Sequence, residues 1–149
     1  MVYSYEDKWF EETNVAKKIK KFWEKNGWKI KKFNKDKRQK GPDIIAEKNH
    51  KQLVIEVKGY PSRYYVHGKK KGKLKPTPPK LQATHWFAEA IFSVLLKKSE
   101  DPKIKIAVGL PDFEKYRELI EKIKFVRRKI GIEFYLVKEN DKDQVEIIS

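Results

Sequence analysis

The stretch Gly41-Pro-Asp-Ile-Ile-Ala-Glu-Lys-Asn-His-Lys-Gln-Leu-Val-Ile-Glu-Val-Lys-Gly59 decides the reading of this chain. Two short apolar runs, Asp43 to Glu47 and Leu53 to Val57, flank Lys48-Asn49-His50-Lys51, which reads as a hairpin turn. Strand side chains alternate faces, so Glu56 and Lys58 point one way while Ile55 and Val57 point the other. Symmetry about the Asn49/His50 step pairs Lys48 with Lys51, Glu47 with Gln52 and Asp43 with Glu56. The two carboxylates would then face each other with Cβ atoms ~4.5–5.5 Å apart, an arrangement that normally destabilises a sheet. A divalent cation between them removes the repulsion. Hard oxygen ligands suit Mg²⁺ or Mn²⁺, and Mg²⁺ commonly takes one or two carboxylates plus water and substrate phosphate. Lys58, two residues on, would place positive charge where negative charge develops on a phosphoryl group. Spacing alone fits equally well a solvated hairpin with these three charges on its wet face.

Working outward, residues 6–26 read as a helix, with Val15, Ala16, Ile19, Phe22 and Trp23 on one stripe. Asn26-Gly27 ends it. Trp28 to Phe33 is an imperfectly alternating strand, and residues 34–40 form a polar basic loop. Beyond the hairpin, Gly59 to Pro79 is long and irregular, rich in Gly and Pro. Lys80 to Lys98 is a second helix with Ala83, Phe87, Ala90, Ile91, Val94 and Leu95 on one side. Ile104 to Val108 is a buried-type strand. Asp112 to Ile130 is a third helix with Tyr116, Leu119, Ile120, Ile123 and Val126 inward, closed by Gly131. Asp112 suits its N-cap. Glu133 to Val137 is a strand, and Val145 to Ile148 adds a short edge. The order αβββαβαβ, with that edge strand beyond it, implies an α/β fold: a mixed sheet flanked by helices in a single domain, 1–149.

The chain has 149 residues, no Cys, and 36 Lys plus Arg against 21 Asp plus Glu, a formal net charge of +15. Without Cys there is no disulfide framework, thiolate zinc site or cysteine-ligated iron–sulfur cluster. The first twelve residues lack the apolar segment of a signal peptide, and no run reaches the ~18 apolar residues of a membrane span. A soluble cytoplasmic protein with no membrane partner is expected. The basic excess is uneven. Lys17 to Lys40 holds twelve Lys or Arg against two acids, and Pro61 to Lys80 holds seven against none. These segments carry more than the whole net charge, and they bracket Asp43, Glu56 and Lys58. A polyanionic partner follows, nucleic acid first.

Pro42-Asp43 followed across a short hairpin by Glu56-Val57-Lys58 resembles the PD-(D/E)xK signature of the restriction-endonuclease-like nuclease superfamily. The apolar flanks Ile44-Ile45-Ala46 and Leu53-Val54-Ile55 and the following Gly59 resemble it too. The αβββαβ core of that superfamily would cover about residues 6–109, with the αβ of residues 110–149 as an extension. The resemblance implies a Mg²⁺- or Mn²⁺-dependent phosphodiesterase with Asp43 and Glu56 as metal ligands and Lys58 as the catalytic lysine. It also implies the Val57 carbonyl as a further ligand.

Many members carry an additional acid on the first helix. Glu12, with Val15, Ala16 and Ile19 at +3, +4 and +7, is the candidate, as both catalytic acid and metal ligand, and Glu11 is the alternative. Archaeal Holliday-junction resolvases show a similar glutamate. Gln82-Ala-Thr-His-Trp86 resembles the QxxxY motif of RecB-type nucleases with Trp in place of Tyr, so Gln82 would orient a metal-bound water or the lysine. The expected nucleic-acid contacts are Lys37, Arg38 and Lys40 before the hairpin. After it come Arg63, Tyr64, Tyr65, Lys69, Lys70, Lys71, Lys73, Lys75 and Lys80, aromatics among cations as in single-strand binders. His50, His67 and His85 are scattered and form no zinc pattern.

The expectation is a DNA-cutting enzyme selecting substrates by structure, such as ends, junctions or single strands. A homodimer would serve double-strand cutting. RNA as substrate, a binding module of the same fold without cleavage, and a subunit of a larger assembly stand as alternatives.

Overall fold

The computed structural model describes residues 5, 7–34, 41–140 and 144–149. Lys37, Arg38 and Lys40 lie outside the described residues. The elements run α1 (Glu12–Lys25), β1 (Lys29–Phe33), β2 (Ile44–Lys48), β3 (Lys51–Val57), α2 (Pro79–Glu100), β4 (Lys105–Pro111), α3 (Glu114–Lys122), α4 (Lys124–Ile130), β5 (Ile132–Val137) and β6 (Val145–Ile148). All six strands join one mixed sheet in chain order. The β1–β2, β2–β3 and β5–β6 pairs are antiparallel, and β3–β4 and β4–β5 are parallel. The expected class, α/β with a mixed sheet between helices, is what the chain forms.

The parallel strands β4 and β5 read as almost unbroken apolar runs because both faces are covered. One core layer sets Val54, Ile106, Val108, Phe134 and Leu136 against α2 and α3. The opposite layer sets Ile44, Leu53, Ile55 and Tyr135 against Val15, Ala16, Ile19 and Trp23 of α1. The segment beyond residue 109 is therefore continuous with the rest: β5 side chains enter both layers.

Three local readings are corrected. First, α1 begins at Glu12, because the Glu11 carboxylate caps it, accepting from the N–H groups of Thr13 (3.0 Å) and Asn14 (3.4 Å). Trp9 and Phe10 turn instead into an aromatic cluster with Phe113. Second, the third helix is two helices broken at Ile123, giving αβββαβααββ. The break leaves the Ile120 carbonyl to the buried Arg127, whose Nε donates to it at 3.2 Å, and it turns Val126 outward. Third, Phe113 occupies the N-cap of α3, and Asp112 is paired with Arg117 and Lys138, each at 2.6 Å. The imperfect alternation of β1 has a simple cause: the ladder slips between Ile30 and Lys32, leaving Lys31 as a bulge.

Candidate active site

The β2–β3 register is the one expected, running from Lys48↔Lys51 to Ile44↔Ile55, so Asp43 and Glu56 fall opposite each other just past it. The turn is held by Asn49 and His50, both in the left-handed region (φ 52° and 65°), as a two-residue hairpin of this twist requires. Asp43 sits one residue before β2. Its Oδ2 accepts from the Val57 peptide N–H at 2.7 Å, and its own N–H donates to the Glu56 carboxylate. Each acid is thus held by backbone of the facing strand. Val57, proposed as a carbonyl ligand, commits its N–H to Asp43 and buries its side chain.

Glu56 lies at the carboxyl end of β3, beside β4, where open α/β sheets usually place their sites. Burial pushes its carboxyl up to about 7, and the facing Asp43 charge pushes the same way. The Lys58 ammonium opposes the rise, and the Glu12 charge adds to it. Glu12 is therefore the α1 acid that the site feels, while Glu11 is spent on the cap. The chain leaves the site through Gly59, where a Cβ would lie 2.6 Å from both Glu12 N and Phe10 O. Only a glycine lets the start of α1 approach this closely. Tyr60 N–H donates to Phe10 O (2.9 Å), and the Tyr116 hydroxyl donates to Gly59 O (2.7 Å), fixing the exit.

Lys58 extends the β3 ladder by donating its N–H to Gly109 O at 3.0 Å. Its Nζ is 3.2 Å from Oε2 of Glu89 on α2. Glu89 escaped the sequence reading, since an exposed helical glutamate carries no distinguishing signal. Gln82 meets the basic segment: its Oε1 accepts from Lys75 Nζ at 3.3 Å.

The segment expected to be irregular contains a hairpin. Tyr64 bridges Leu74, Tyr65 N–H donates to Lys73 O (2.9 Å), and Lys75 N–H donates to Arg63 O (3.0 Å). Gly68 and Gly72, at φ 78° and 85°, shape its tip. They are the available signal: two glycines four apart, flanked by lysines. The hairpin presents Arg63, Tyr64, Lys69, Lys70, Lys71 and Lys73 to solvent, with Tyr65 and Lys75 half-buried at its base. Lys80 is exposed at the start of α2.

Two opposed carboxylates, one pushed toward neutrality by burial first and by the other's charge second, form a place where a cation would relieve repulsion. Among the described residues no group of three or more His, Asp or Glu is gathered closely enough to cage an ion. The donor set fits a hard divalent ion held by Asp43 and Glu56 that keeps much of its water. The Glu12 charge acts on Glu56. Compared with protein-family models, curated proteins and solved structures, the chain matches none. Among the described residues no helix is long and apolar enough to cross a membrane.

Proposed function

We propose that the chain is a metal-dependent deoxyribonuclease that hydrolyses phosphodiester bonds and selects DNA by structure. One observation carries the reading: Asp43 and Glu56 opposed at the carboxyl end of β3, with the Lys58 charge reaching Glu56. Asp43 and Glu56 would hold Mg²⁺ or Mn²⁺, which when bound polarises a phosphate and acidifies bound water. The residues of the chain supply the rest. The Val57 N–H holds Asp43 in place, and Gly59 admits Glu12 close to the site. Lys58, reoriented from Glu89, neutralises charge growing on the phosphoryl oxygens. The lysines of the 63–75 hairpin draw the phosphate backbone toward these groups. The enzyme would act in the cytoplasm, as a homodimer where both strands are cut.

The test is incubation of purified protein with single-stranded, duplex and branched DNA, and with RNA, in Mg²⁺, Mn²⁺ or EDTA. Cleavage should require the metal, and Lys58→Ala should lower it by about 10²–10³. Asp43→Ala should still bind DNA. Equal behaviour of wild type and Lys58→Ala on every substrate would refute the reading. Cleavage of RNA alone would make the enzyme a ribonuclease. The Lys58–Glu89 pair favours a second reading, a nucleic-acid-binding module without cleavage. Binding without cleavage under every condition would establish it.

A further inference from the structure

Between the 63–75 hairpin and the first turns of α2 runs a groove of about 550 Å³. Tyr65, His67 and Lys75 line it from the hairpin, and Gln82, His85 and Trp86 from the helix. Glu89 also lines it, and Glu89 is the residue paired with Lys58. The groove therefore adjoins Lys58 of the candidate active site. Its volume falls within the range of small-ligand sites, roughly 300–1,000 Å³.

Its chemistry is specific. The Trp86 ring is half-buried, with the hairpin across the groove. One face of Tyr65 is covered by the Lys70 ammonium, 5.5 Å from the ring centroid, and Trp86 brings the larger ring to the lining. Gln82 and the two histidines offer donors and acceptors at the edge of a planar ring. Lys75 brings a cation held in place by Gln82, partly desolvated where it stands. The one acid among the described lining residues, Glu89, has its charge matched by Lys58 in the free protein. A flat aromatic ring attached to an anion, with hydrogen-bonding edges, is what these groups recognise together.

We propose that this groove holds one unpaired nucleotide of a DNA strand, its base stacked on Trp86 and its phosphate on Lys75, next to the candidate active site. The inference rests on the nuclease reading for its placement and narrows the substrate class to DNA with an unpaired nucleotide beside the cut. A fully paired duplex cannot fill the groove without first unstacking a base.

Binding is measured in EDTA, so cleavage plays no part. The probes are a hexadeoxynucleotide carrying 2-aminopurine at each position in turn and a blunt duplex carrying it paired. The hexamer should bind with a change in 2-aminopurine emission at one position. Trp86→Ala should weaken hexamer binding about 5- to 150-fold, the effect of losing one stacked base. Trp86→Phe should restore most of it, and duplex binding should stay within about 2-fold. Trp86→Ala binding the hexamer like wild type overturns the proposal, as does equal loss on both probes. Should Trp86→Ala fail to fold, wild type decides: emission unchanged at every position, or changed equally in the duplex, overturns it. Loss of metal-dependent cleavage in Lys58→Ala tests the nuclease reading separately. The groove can fail while that reading stands, and the reverse.

Discussion

Lys58 and Glu89 form an ion pair, Nζ to Oε2 at 3.2 Å, between the end of β3 and the outer side of α2. The glutamate is largely exposed, and exposed pairs contribute at most about 1 kcal/mol, so substrate phosphate can draw the lysine away. Glu89→Gln should leave cleavage within about 3-fold of wild type. Lys58→Ala should lower it by about 10²–10³, as expected for loss of one charge stabilising the transition state. Single-turnover rates on a labelled oligonucleotide check both. A loss in Glu89→Gln as large as that in Lys58→Ala would mean the pair itself is the working unit.

Glu56 makes folding stability depend on pH. Below its ordinary value of 4.5 it is protonated in both folded and unfolded chains and contributes nothing. Between 4.5 and about 7 the unfolded chain ionises while the folded chain keeps its proton, so stability falls as pH rises. The loss is complete above about 7 and is at most about 3 kcal/mol. Glu56→Gln should therefore be more stable than wild type by about 1–3 kcal/mol at pH 8 and nearly equal at pH 4. Urea unfolding at the two pH values measures this, and an equal difference at both would sink it. Mn²⁺ should raise the Tm of wild type at pH 8 and leave the Gln variant unmoved.

Gly59→Ala should destabilise the fold by about 1–3 kcal/mol, because the added methyl meets backbone atoms at 2.6 Å rather than a movable side chain. The strain falls between Glu12 and Lys58, so cleavage should drop even where the protein remains folded. Chemical denaturation and activity at a temperature well below the melt separate the two effects. Full activity in Gly59→Ala would show that the approach of α1 is not needed by the site.

The exposed lysines of the 63–75 hairpin should act through charge. Changing Lys69, Lys70, Lys71 and Lys73 to Ala should weaken DNA binding for all sequences alike. It should also flatten the salt dependence by about one unit of slope for each phosphate no longer neutralised. Titration from 50 to 200 mM salt reads this out. An unchanged slope would place the phosphate-binding cations elsewhere.

The sequence made the hairpin legible because two independent signals agreed on it. The apolar runs and the polar turn set one register, and that register put Asp43 against Glu56. The helical stripe Val15, Ala16, Ile19 and Trp23 was likewise readable from spacing. What stayed hidden depends on contacts distant along the chain. The break at Ile123 leaves the Ile120 carbonyl to Arg127, seven residues on, and no Gly or Pro announces it. The role of Glu11 depends on its side chain turning to cap its own helix, which an outward or inward stripe does not reveal. Glu89 matters only because α2 crosses near the end of β3. The 63–75 hairpin hid among prolines and lysines, since its ladder is too short to leave a period-2 pattern.

The bond from Val57 N–H to Asp43 has a spectroscopic consequence. In a ladder, an amide proton is held by a carbonyl that never titrates. Here one amide is held by a carboxylate. The ¹⁵N–¹H resonance of Val57 should move with the ionisation of Asp43 and with any cation that withdraws electron density from it. A single cross-peak would then act as a built-in electrode, reporting occupancy of the acid pair without substrate, dye or turnover.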